Sequence, residues 1–241
     1  MPYGYYYGFD WTYIVLVLPC LIFAMVASSN VNSTFKRYSK QFSSRGITGA
    51  QAAQRVLYAN GVRNVRIERV AGNLTDHYDP RTNVIRLSDS VYGSTSTAAI
   101  GVACHEAGHA VQYAQNYAPI KLRAAIIPLT NFGSKLAMPL ILLGIICTFL
   151  GEFSTVLVYM GIAAFGLSFV FQLITLPVEF NASRRAIRAI DEGNILTAEE
   201  LRGARKTLNA AAMTYVAATA TALAQLLRLI VLFGGRGRRR D

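Results

Sequence analysis

Apolar residues in this chain gather into long runs, with polar stretches between them. The first run, TYIVLVLPCLIFAMVASS at residues 12–29, has the length of one bilayer crossing. Two more cover about 126–150 and 155–176, parted by the short loop GEFS, and a fourth, 208–233, is rich in alanine and threonine and includes Arg228. The polar stretches follow other periods. TGAQAAQRVLYANG (48–61) reads as a helix that Thr48 can cap and Gly61 can end. NVRIERV (64–70) and NVIRLS (83–88) alternate with period two and read as strands, with Asp79, Pro80 and Asn83 supplying turn chemistry between them. A further helix is expected from Ser94–Thr97 to about Tyr117, and TAEE, pairing Thr197 with Glu200, is a capping box that opens another. The pattern predicts a mainly α, integral membrane protein with three or four transmembrane helices and a small α+β portion. The expected division is an N-terminal anchor (1–29), a segment carrying the strands and the central helix (30–125), two transmembrane helices (126–176), a polar segment (177–207) and a C-terminal hydrophobic helix with a basic tail (208–241).

Composition agrees with a bilayer. Hydrophobic residues make up 53% of the chain and charged ones 15%, too apolar for an ordinary soluble domain. The formal charge of +11 does not point to nucleic acid, because no nucleic-acid-binding module accompanies it. Positive charge flanking membrane spans marks the cytoplasmic side instead. Residues 30–125 hold twelve Lys and Arg against five acids, and 178–207 is also basic, whereas the N-terminus and the 151–153 loop are not. Both basic segments are therefore expected in the cytoplasm, with the N-terminus outside. The four arginines from Arg236 to Arg240 fit this scheme only if the last apolar run does not cross the membrane. The N-terminal tyrosines and Trp11 look like an interfacial belt. Cys20, Cys104 and Cys147 form no disulfide framework, and Cys104, beside a histidine on a helix, reads as a packed thiol.

The chemistry concentrates in ACHEAGHAVQ, residues 103–112, which carries two of the protein's three histidines. On a helix, His105 and His109 share a face and can aim their rings at one point, a spacing that suits tetrahedral zinc. Glu106 is placed to act as general base on a water beside the metal. Gly108 lets another segment approach that face closely. A catalytic zinc needs a third ligand, and the candidates are His77, Glu152, Glu179, Asp191 and Glu192. Glu179 is favoured: it follows a span on the motif's side, and small Ala182 three residues on would let its helix pack against the motif helix. His77 could donate to the oxyanion of the tetrahedral intermediate or be a locally bonded turn histidine, and Tyr78 has the same two readings. NVIRLS could be an edge strand that takes an extended peptide, or a purely structural strand. Gln112 could support His109, although helix surface is the plainer reading, and Arg184, Arg185 and Arg188 suit anionic headgroups.

DHYDP with NVIRLS, then ACHEAGHAVQ, then LPVEFNASRRA resemble the YugP-type zinc-dependent membrane peptidases over nearly the whole chain, from Thr12 to Phe233. Those proteins are similar in architecture to HtpX-like membrane proteases, with a small gluzincin, hence zincin-like, catalytic domain held between spans. The resemblance implies Zn2+ on His105, His109 and Glu179 with Glu106 catalytic. In related gluzincins an acid often follows the glutamate ligand and steadies the first histidine; here Asn181 or Ser183 occupies that neighbourhood. The expectation is a multi-pass zinc metalloendopeptidase of the cell membrane. It would act on membrane-associated or misfolded proteins and peptides, with the bilayer as its other partner. The rival readings are a zinc-binding adaptor or chaperone without proteolysis, and a transporter or scaffold whose histidines only pack.

Overall fold

The computed structural model describes residues 10–234, so the N-terminal tyrosines and the arginine tail fall outside the described residues. Among the described residues, seven α-helices and three strands follow one another in the order α1 (Leu18–Tyr38), α2 (Gly49–Ala59), β1 (Arg66–Val70), β2 (His77–Asp79), β3 (Val84–Ser88), α3 (Asp89–Tyr92), α4 (Thr97–Ala114), α5 (Ala118–Ile146), α6 (Glu152–Glu192) and α7 (Ala198–Phe233). A π-helical turn, Tyr13–Val17, leads into α1. Four helical stretches, Tyr13–Tyr38, Ala118–Ile146, Glu152–Glu192 and Ala198–Phe233, are long and apolar enough to cross a membrane. The protein is thus a mainly α membrane protein with a small sheet. By contacts between residues it divides into two compact units.

One unit comprises residues 27–124 and 174–215. Thr48 caps α2 through the reciprocal bonds of a capping box with Gln51, and Gly61, at φ 72°, follows its end. β3 is the central strand, parallel to β1 and antiparallel to β2. NVIRLS is therefore not an edge, and its backbone is already paired on both sides. Its two outer pairs of residues are buried, so it is the strand that anchors the sheet to the core. Leu57, Ile85, Leu87 and Ile100 are fully buried in that core. α4 begins at Ser96, whose side chain accepts from the Ala99 N–H, and it is buried around most of its circumference. A Cβ added to Gly108 would lie 2.8 Å from the carbonyl oxygen of Ala182, so the glycine does admit α6 against the motif face. Thr197 and Glu200 form the expected capping box. α6 runs unbroken through Pro177, where a boundary between span and polar segment was expected. Proline is tolerated inside membrane-type helices because neighbouring groups satisfy the freed backbone.

The other unit holds the start of α1, residues 125–173 and the end of α7. Its small core is Ile141, Val158, Ile162 and Leu229. Large apolar side chains such as Phe132, Leu142, Phe153 and Val231 point outward, the pattern of helices solvated by lipid. Arg228, a charge inside an apolar run, is paired with Asp10, with its Nε 2.9 Å from Oδ2, and its guanidinium lies over the Tyr13 ring. Pairing of this kind is what makes an intramembrane charge tolerable.

Candidate metal centre

α4 presents His105 and His109 one turn apart, their ring centroids 4.7 Å from each other and their planes nearly perpendicular. α6, admitted by Gly108, brings Glu179 between them. Glu179 Oε2 lies 3.2 Å from His105 Nε2 and 3.5 Å from His109 Nε2, and its side chain is only 3% exposed. Among the described residues this is the one group of His, Cys, Asp and Glu with three ligand atoms within 4.8 Å of one another. Zinc with bonds near 2.0–2.1 Å in a tetrahedron holds its ligands roughly 3.3–3.4 Å apart, so the spacing fits the ion.

The outer bonds of the cluster leave its inner lone pairs free for a cation. Arg185 Nε donates to Asn181 Oδ1 at 2.7 Å, and arginine can only donate, so that atom is an oxygen. Gln112 must then turn its NH2 towards Asn181 and the Val178 carbonyl, both at 2.9 Å. Its Oε1 is left to face His109 Nδ1 at 3.0 Å. An amide oxygen only accepts, so Nδ1 carries a proton and Nε2 is the nitrogen turned inward to Glu179. Gln112 is fully buried, which overturns its reading as helix surface. His105 is held in the same sense: the Ser183 hydroxyl, 3.0 Å from Nδ1, can accept that proton. Of the two residues expected near the first histidine, Ser183 touches it, while Asn181 reaches His109 through Gln112. Arg123 on α5 donates to Glu179 Oε1 at 2.8 Å and so turns Oε2 towards the imidazoles. Burial opposes a charge on His109, but the Glu179 carboxylate outweighs it and holds the ring's pKa above its ordinary value. The pull is towards positive charge at the cluster.

A cavity of about 190 Å³ opens beside this cluster, lined by Glu106 together with His105, Glu179, Asp76 and Tyr215. Asp76 accepts from the Ser88 N–H at 2.7 Å and from its hydroxyl. Burial, with the charge of Glu106 adding to it, holds its carboxyl above the usual carboxylate range. His77 does not join. It is exposed, and its Nδ1 lies 2.9 Å from the Thr75 carbonyl oxygen. Successive strand residues point to opposite faces, so the inward position in DHYDP belongs to Asp76 and not to its neighbour. Tyr78 donates to Asn83 Oδ1 at 2.7 Å across the β2–β3 turn, a structural role. Cys104 is fully buried, and burial pushes its thiol pKa up, so it is a packing residue. Arg123, Asp76 and Tyr215 were not legible as site residues. Arg123 read only as one of the twelve basic residues of 30–125, and Tyr215 lies unremarked within the apolar run 208–233.

Membrane-length helices and a His–His–Glu cluster that could hold a metal are features of a membrane metalloprotein. The comparisons give the family: residues 13–234 match the one described as "Putative neutral zinc metallopeptidase", and the chain belongs to it. It is also 45% identical over 221 residues to "Putative membrane protease YugP" of Bacillus subtilis (strain 168), a match covering 92% of this chain and 96% of that protein. No solved structure matches it. The protein is accordingly a zinc metallopeptidase of a membrane, with Zn2+ as its cofactor.

Proposed function

We propose that the protein hydrolyses peptide bonds within membrane-associated or misfolded proteins, with zinc held by His105, His109 and Glu179 and with Glu106 as the catalytic base. The observation that carries this reading is the convergence of the two Nε2 atoms on Glu179 Oε2, at 3.2 and 3.5 Å, beside a cavity that Glu106 lines. When bound, zinc supplies a Lewis acid that polarises the peptide carbonyl and makes water near it acidic enough to ionise close to neutral pH. Glu106 takes the proton of the attacking water and passes it to the amide nitrogen as the C–N bond breaks. Gln112 and Ser183 hold the two imidazoles in the ligating tautomer, and Arg123 fixes the carboxylate. Asp76 lines the same cavity, and burial, with the nearby charge of Glu106 adding to it, raises its pKa.

Glu179 and Arg123 stand on helices long and apolar enough to cross a bilayer, which supports substrates that are themselves at the membrane. The basic character of residues 30–125 and 178–207 supports a cytoplasmic site. Zinc-loaded full-length protein should cleave an unfolded protein substrate. Glu106→Gln should bind zinc as the wild type does and lose at least about a hundredfold in rate, within the range general bases contribute. Equal activity in the two proteins would overturn the role of Glu106, and absence of cleavage by both would favour a zinc-binding adaptor.

A further inference from the structure

Beyond its ligating end, the cavity at Glu106 is a greasy pocket. Val31 and Phe35 of α1, Val102 of α4, and Leu208 and Ala211 of α7 line it, with Leu74 from the β1–β2 loop. Val102 lies one helical turn before His105 and Glu106, so the apolar wall begins where the reacting groups end. We propose that this pocket is a specificity site that takes the side chain of a substrate residue flanking the cleaved bond, and that it selects a single aliphatic or phenyl group. The inference rests on the peptidase reading and names its substrate class.

Size and polarity carry it. The cavity measures about 190 Å³. That volume includes the ligating end, and an apolar cavity of about 150 Å³ holds one benzene, so the apolar end admits at most one isobutyl, thioether or phenyl side chain. Thr207 is the one hydroxyl beside Leu208 on that wall, and it already donates to the Gly203 carbonyl, so a polar side chain entering the apolar end would lose most of its water without replacement. Asp76 is the one carboxylate of the lining that the mechanism does not need as a ligand or base. It could draw a lysine or arginine, but its oxygens already accept from the Ser88 N–H and hydroxyl, and it sits at the polar end. The apolar wall therefore sets the preference. Ala211 and Ala212 line part of it, so a larger side chain at Ala211 is expected to take up its space.

The test is mass-spectrometric mapping of the new termini that zinc-loaded, detergent-solubilised full-length protein makes in reduced, carboxymethylated α-lactalbumin. The expected result is Leu, Ile, Met or Phe on one fixed side of the cleaved bonds. Ala211→Phe, with its zinc content and melting transition checked, should lower cleavage beside Leu and Phe by about tenfold or more relative to cleavage beside Ala and Gly, the scale on which apolar pockets discriminate. Val102→Ala should shift preference towards larger aromatic residues, which keeps the test open if the filled variant does not fold. A preference for Lys or Arg would show that Asp76 dominates and would overturn the proposal, as would termini with no fixed flanking residue. Absence of cleavage by the wild type would instead overturn the peptidase reading on which the proposal rests.

Discussion

Gln112 has no charge and no role as a ligand, yet the chemistry of His109 depends on which way its amide faces. Arg185 fixes Asn181, Asn181 fixes Gln112, and Gln112 fixes the imidazole proton on the side away from the metal. Gln112→Leu keeps the approximate size and removes the acceptor. It is expected to weaken zinc binding about 10–100-fold in a chelator competition, the usual effect of losing a group that orients a metal-ligating histidine. Unchanged affinity would mean that packing alone holds the ring. This relay could not be read from the sequence, because it joins residues on two helices whose approach only the fold reveals. The cluster could: a spacing of four on a helix states a geometry, and Glu179 was favoured because it follows a span on the motif's side, with small Ala182 three residues on.

At the scale of elements, the decisive contact is that of α4 with α6. Alanine is favoured over glycine in a helix by up to about 1 kcal/mol. At Gly108 the added methyl would meet a backbone oxygen of Ala182 at 2.8 Å, and a backbone atom cannot swing aside. Overpacking costs about 1–3 kcal/mol, so it wins. Gly108→Ala should lower the thermal midpoint and reduce zinc occupancy together as α6 is pushed off the motif face. Gly166→Ala, whose Cβ would meet nothing within 4 Å, should keep zinc and hold or raise the midpoint. Matching behaviour in the two variants would refute the close-packing argument. The elements were largely legible, since capping chemistry at Thr48, Ser96 and Thr197 is local. Strand order was not, because period two marks β3 as a strand without saying whether it has one neighbour or two. α6 continues past Pro177 for a related reason: what tolerates a proline in a helix is the surrounding structure, and local sequence does not show it.

For the whole molecule, Asp10 and Arg228 tie the start of the first membrane-length helix to the end of the last. That pairing places those two ends together, and the cytoplasmic site proposed from the basic character of residues 30–125 and 178–207 is open to labelling. A cysteine at exposed Tyr58, with Cys20, Cys104 and Cys147 replaced, should react with an impermeant maleimide only after cells are permeabilised, while one at exposed Glu152 should react in intact cells. The reverse pattern would turn the site outward. We propose that three side chains from two helices, His105, His109 and Glu179, hold one zinc. The measurement that tests it most directly is the metal content of the purified full-length protein and of its Glu179→Ala and Glu106→Gln variants. One zinc per chain is expected in the wild type and in Glu106→Gln, and little in Glu179→Ala. A metal-free wild type, or full zinc retention without Glu179, would contradict it.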